Sequence, residues 1–162
     1  MKATFQLLLL ALVTTAGILL TGCNRTDTEA KGEKTVNERL IGTWHYETIT
    51  RTPLGAAADT LHQDFNAVPD SAQYYEVYLS DSVMQFYATQ ADSLLWTFTY
   101  NYRVTNDTLY AQREGMPEQT VHLVNVTDST VHIDYTRVIQ DTTYYYTANT
   151  RRCELPAGLK TE

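Results

Sequence analysis

Four histidines, two cysteines and nineteen acidic residues are the groups in this chain that could do chemistry. His122 and His132 invite a metal reading first. A hairpin turned at "TDST" (127–130) sets His122 opposite Tyr135 and His132 opposite Asn125, on opposite faces. His45 and His62 stand alone, and no C-x-x-C, H-E-x-x-H or H-x-x-x-H spacing occurs. The expectation is no metal site and no cofactor. No G-x-S-x-G elbow or Gly-rich phosphate loop is present, and Glu76 and Asp134 fall on expected outward strand positions. The reading is therefore non-enzymatic, with no catalytic residue.

The pattern that does point to chemistry is aromatic. Trp96, Phe98, Tyr100 and Tyr102 alternate along one strand and share a face. Tyr75, Tyr135, Tyr144 and Tyr146 also read inward, whereas Tyr74, Tyr78 and Tyr145 read outward. Buried phenols need hydrogen-bond partners, so a tyrosine-rich interior fits an apolar pocket with a few fixed polar points. Trp96, Phe98, Tyr100, Tyr102, Tyr135, Tyr144 and Tyr146 are the candidate ligand-binding residues, for a small apolar or amphipathic molecule. The alternative is a solid barrel whose outer face contacts a protein partner.

Strands must position this row. Twelve tyrosines with many Thr and Val suit pleated surfaces. Period-two alternation predicts strands over 41–51, 61–67, 73–80, 83–90, 94–104, 108–114, 119–126, 130–139 and 143–151. Polar breaks at "SDS" (80–82), "TND" (105–107), "TDST" and "QDT" (140–142) serve as hairpin turns. A turn centred on Asp81-Ser82 pairs Leu79 with Met84, Val77 with Phe86 and Tyr75 with Ala88. The expected fold is all-β, an antiparallel up-and-down β-barrel of about eight strands, because closure removes exposed sheet edges.

The amino terminus carries a different signal. Lys2, an apolar stretch from Phe5 to Leu20 and a small-residue exit describe a secretory signal rather than a membrane-spanning helix. The exit Leu20-Thr21-Gly22-Cys23 resembles the lipobox of bacterial lipoproteins. That resemblance implies a signal peptide over 1–22, acylation of Cys23 by palmitate-type chains and anchorage in the cell envelope. Asn24 after the cysteine fits outer-membrane delivery. Residues 23–38 read as a flexible polar tether, 39–153 as the barrel and 154–162 as a C-terminal tail. With Cys23 acylated, Cys153 is the one thiol left and reads as a buried small residue. Net charge is −7, and no basic patch accumulates, which argues against nucleic acid.

"LIGTWHYE" (40–47) is similar to the first strand of lipocalins, through a G-x-W pattern at Gly42, Thr43 and Trp44. Over residues 38–152 the chain looks like the lipocalin-like lipoproteins of Gram-negative bacteria. The resemblance implies a cup whose floor is plugged by Trp44, with an arginine from the last strand across it. Strand parity picks Arg152 for that place, making Gly42, Trp44 and Arg152 the barrel-closing set.

Aspartate is followed by Ser or Thr and then Ala, Val, Leu or Thr at Asp59, Asp70, Asp81, Asp92, Asp107, Asp128 and Asp141. These look like envelope O-glycosylation acceptors as well as turn formers. Intact mass of protein from its own cells separates the readings. The expected result is polypeptide from Cys23 plus acyl chains, which Cys23→Ser removes; a mass fully accounted for by polypeptide and acyl chains excludes glycan.

Overall fold

A computed structural model describes residues 33–55, 59–68, 70–80, 82–91 and 93–159. Cys23 and the signal segment lie outside these. The chain enters a short helix, α1 (Val36–Leu40), through a capping box. The Glu38 backbone N–H donates to Thr35 Oγ1 (3.3 Å) and Thr35 N–H to Glu38 Oε2 (2.7 Å). The Thr35 bonds hold the Glu38 carboxyl below its ordinary range. The tether expected through residue 38 therefore gives way to an ordered element by Thr35.

Among the described residues nine strands follow: β1 (Gly42–Pro53), β2 (Leu61–Asp64), β3 (Gln73–Tyr78), β4 (Val83–Gln90), β5 (Ser93–Thr105), β6 (Thr108–Gln112), β7 (Gln119–Val126), β8 (Thr130–Ile139) and β9 (Thr142–Cys153). The sheet order is β2-β1-β3-β4-β5-β6-β7-β8-β9, and a further β1–β9 ladder closes it. Eight strands form the closed antiparallel barrel. β2 hangs outside the cycle, paired with β1 only over Thr48–Arg51. β1 meets β3 along Gly42–His45, so its second half is free to hold β2.

The hairpins explain most of this register. Asn106-Asp107 and Gln140-Asp141 are two-residue turns with both residues at positive φ (48° and 59°; 48° and 65°), as I′-type hairpins require. Their strands pair Thr105 with Thr108 and Ile139 with Thr142.

Three local features shift side chains relative to simple alternation. The β3–β4 connection is one residue longer than expected: Leu79 N–H bonds Val83 O (3.0 Å), and Tyr78 pairs with Met84. That slip reverses β3. Tyr74, Glu76 and Tyr78 point inward, opposite Ala88, Phe86 and Met84, while Tyr75 and Val77 point outward. The expected inward Tyr75 and outward Tyr74, Glu76 and Tyr78 are corrected accordingly. A bulge at Glu47 lies between the Tyr46/Thr150 and Thr48/Asn149 pairs and brings Ile49 and Arg51 inward. A second bulge at Val124 leaves Leu123 buried and Val124 exposed. It also pairs His122 with Asp134, so His122 and His132 share the outer face instead of lying on opposite ones.

The core sits at one end. Trp44 (1% exposed) belongs to a buried cluster with Leu40, Met84, Leu123 and Ile133. Its indole N–H donates to Leu40 O at 2.7 Å, which ties the barrel floor to α1. Arg152 Cζ stands 4.2 Å from the Trp44 ring centroid. Its guanidinium donates to Asp128 O (2.6 Å), Ile41 O (2.7 Å) and Arg39 O. Gly42 makes room for it: φ is +128°, and a Cβ there would fall 2.2 Å from Arg152 Nη1.

Gly42→Ala is expected to destabilise the barrel by about 2–3 kcal/mol, because it combines a strained φ with displacement of the guanidinium. Urea denaturation measures this, and a change under about 0.5 kcal/mol counts against the packing described.

Candidate functional site

Above the floor the interior opens. A cavity of about 220 Å³ is lined from β1, β3–β8 and the β6–β7 loop. Strand alternation places its aromatic wall. β5 sends Trp96, Phe98 and Tyr100 inward, across from Ala88, Phe86 and Met84 on β4. Phe86 stacks on Trp96 (centroids 5.5 Å, 11°) and Trp96 on Phe98 (4.8 Å, 27°). Arg113, following β6 on the same inward parity, lies with Cζ 3.7 Å from the Phe98 centroid. A second, more open cavity of about 320 Å³ shares Phe86, Trp96 and Arg137 and runs toward the gap between β2 and β3.

The candidate ligand residues divide. Trp96, Phe98, Tyr100 and Tyr135 line the first cavity. Tyr146 lines the second and stacks on Tyr135 (4.8 Å, 1°). Tyr102 is placed lower, buried edge-on against Tyr78 (5.1 Å), with its hydroxyl donating to Ser80 O, and faces neither cavity. Tyr144 sits under the Arg51 guanidinium (4.8 Å) and also lines neither.

Sequence reasoning missed the polar residues of the cavity. Glu76 is the principal one. Tyr46 donates to its Oε1 at 2.5 Å and Tyr78 to its Oε2 at 2.9 Å. Burial drives the Glu76 carboxyl above its ordinary range, and the two phenol bonds offset this only in part. Burial first, and then the Glu76 charge, push Tyr46 and Tyr78 well above the usual phenol range. Tyr135 rises for the same leading reason, followed by the field of Tyr146. Arg113 and Arg137 add two guanidiniums to the lining. One signal for Glu76 was available. A two-residue turn at Asp81-Ser82 lacks the Asn-Gly or Asp-Gly chemistry that such turns favour, which argues for a longer loop and the opposite β3 face.

Three of the four histidines have side-chain partners. His45 Nε2 contacts Gln73 Oε1 (2.8 Å), and His62 Nδ1 contacts Thr50 Oγ1 (2.9 Å). His122 Nδ1 lies 3.5 Å from Asp134 Oδ1, on the outer face. Among the described residues no group of three His, Cys, Asp or Glu is arranged to hold a metal ion. Cys153 is half-buried, with its thiol pushed up by burial. Of the glycosylation candidates, Thr60, Ser82, Ser93 and Ser129 are exposed, and Ser71, Thr108 and Thr142 are half-buried.

The geometry defines an eight-stranded antiparallel barrel with an indole floor and an aromatic-walled interior. No family model matches the chain, and no curated protein matches it significantly. Among solved structures it is similar to a lipocalin-like protein from Bacteroides uniformis (TM-score 0.46, 12% identity, 71% of this chain and 99% of that one). It is also similar to the siderocalin Ex-FABP (0.45, 16%, 71% and 74%) and to bovine odorant-binding protein solved with its natural ligand (0.45, 13%, 78% and 79%). All three TM-scores lie below 0.5, and the barrel rests on its own hydrogen-bond ladder.

Glu76 has a defined consequence for stability. Its folded pKa is raised, so the native state holds the proton more tightly than the unfolded chain. Its contribution to stability is therefore greatest at low pH. It declines as pH rises from the ordinary carboxylate value toward the raised one, then stays flat. Urea midpoints of wild type and Glu76→Gln across pH 4–8 are expected to diverge over that window, with the variant gaining relative stability at the upper end. Parallel curves would show that Glu76 is not desolvated.

Proposed function

We propose that this protein is an envelope-tethered, non-enzymatic binding barrel that holds one small hydrophobic or amphipathic molecule in the cavity above Trp44. The observation that carries the reading is the interior space of about 220 Å³ walled by Phe86, Trp96, Phe98 and Tyr100. A barrel of eight strands has room either for packed side chains or for one small ligand. Here the floor is packed and the upper half is not. An apolar wall with a few fixed polar groups is the usual composition of a small-molecule site.

The tether belongs to the same proposal. The "LLTGC" exit at 19–23 supports acylation of Cys23, delivery to the cell envelope and retention there, in the outer membrane by the Asn24 rule. Two or three acyl chains, at about 0.8 kcal/mol per buried CH₂, suffice for stable anchorage where one does not. The barrel then works as a fixed receptor at a membrane surface rather than as a diffusing carrier.

The test is titration of the purified full chain with an environment-sensitive apolar dye. Saturable one-to-one binding is expected, with quenching of Trp96 in the cavity wall. Val121→Trp, which fills the cavity from β7, is expected to weaken binding by about tenfold or more, equivalent to about 1.4 kcal/mol. A folded wild-type protein that takes up no dye overturns the reading.

A further inference from the structure

Within that binding reading, we infer that the cavity selects a small cationic amine carrying an apolar or aromatic body, with Glu76 as the group that receives the ammonium. Glu76 faces the cavity from β3, on the inner side of the aromatic wall. Each of its oxygens accepts one phenol hydrogen bond, Tyr46 on Oε1 and Tyr78 on Oε2. An ionised carboxylate offers about four acceptor positions, so about two stay open toward the cavity. Among the described residues no Lys, Arg or His pairs with this acid. Once ionised, a buried carboxylate calls for a partner, and none of the described residues supplies its counter-ion.

The surroundings favour a cation from the ligand. Tyr46 and Tyr78 meet the carboxylate through their hydroxyls, Phe86 is its cross-strand neighbour, and the Phe86, Trp96 and Phe98 rings continue the cavity wall. Aromatic faces attract cations and repel anions. A carboxylate ligand could instead meet Arg113 and Arg137. Arg137 is exposed, however, and Arg113 is already laid over the Phe98 ring at 3.7 Å. Charges in contact with water are screened, whereas the field of a desolvated acid is not. The inner acid therefore discriminates more strongly than the outer arginines. A space of about 220 Å³ accommodates one ring with a short alkylamine arm.

Three probes of matched body test this on the purified full chain at pH 7.5: 2-phenylethylamine, 2-phenylethanol and phenylacetate, measured by calorimetry or by displacement of the apolar dye. The amine is expected to bind about tenfold tighter than the alcohol, and phenylacetate weakest. Glu76→Gln should remove the amine's advantage while leaving the alcohol's affinity in place. A wild-type measurement covers the case in which that variant misfolds. As pH falls through the Glu76 titration, the amine-to-alcohol ratio should collapse toward one. The other titratable or charged groups facing Glu76 are Tyr46, Tyr78 and Tyr135, with Arg113 and Arg137 beyond them, residue types that hold one charge state across that range. Phenylacetate binding as tightly as the amine, or an amine-to-alcohol ratio near one at pH 7.5, overturns the inference. If the dye binds while the ratio is one, only the amine assignment fails; if neither dye nor amine binds, the binding reading fails with it.

Discussion

The β1–β9 ladder is the constraint on which the rest of the molecule depends. Ten paired positions join the first barrel strand to the last, from Thr43/Cys153 to Pro53/Tyr144. Without it the sheet would be open, and a side chain facing inward would merely lie on the concave face of a curved surface. With it, inward means enclosed. The ladder joins the two ends of the barrel segment, so its closure entropy is recovered only by the contacts that closure creates. Those contacts are concentrated at the floor, where Trp44 on β1 and Arg152 on β9 are themselves a register pair.

That pair explains why the closed end is rigid and the other end hollow. Arg152 carries a charge into a half-buried place, which is favourable only if its donors are used. Three backbone carbonyls take them, from Arg39, Ile41 and Asp128. One side chain thereby joins the end of α1, the start of β1 and the β7–β8 turn. A cation–π contact of this kind contributes about 0.5–2 kcal/mol. The larger effect is positional, since Gly42 has no side chain to compete for the same space. No comparable tie exists among the described residues at the upper end, where β2 leaves the cycle and Trp96, Leu94 and Leu95 are exposed.

The strands were legible because alternation is a strong local signal. Every strand expected from the pattern appears, and most bounds agree within two residues. The floor residues were legible through strand parity and the G-x-W resemblance. What alternation does not encode is where the chain gains a residue. Both faces of "QYYEVYLS" carry tyrosine, and hydrophobicity alone favours the face of Val77 and Leu79, the one the strand turns outward. The loop decided it, and a one-residue difference exchanged Tyr75 and Val77 for Tyr74, Glu76 and Tyr78. The bulges at Glu47 and Val124 likewise switch which side chains face in partway along β1 and β7, and the second places His122 and His132 on one face. Helix α1 was missed because five residues give too few turns for a periodic signal, although Thr35 with Glu38 three residues on is a capping signature.

The residue most changed by that correction is also the one hardest to explain as packing. A core position on β3 between two tyrosines could hold Leu or Met at lower cost, since burying a carboxylate forfeits its hydration. Tyr46 and Tyr78 return part of that loss, yet the carboxyl still ends above its ordinary range. Stability therefore does not account for Glu76, and neither does a salt bridge, because the guanidiniums of the cavity lie along β6 and β8 toward the mouth. The result is an axial separation of charge in an aromatic sleeve, negative within and positive at the rim. Such a field orients any guest that has unlike ends. It also makes entry of a purely apolar molecule only partly satisfying, because the acid would then remain unpaired beside it.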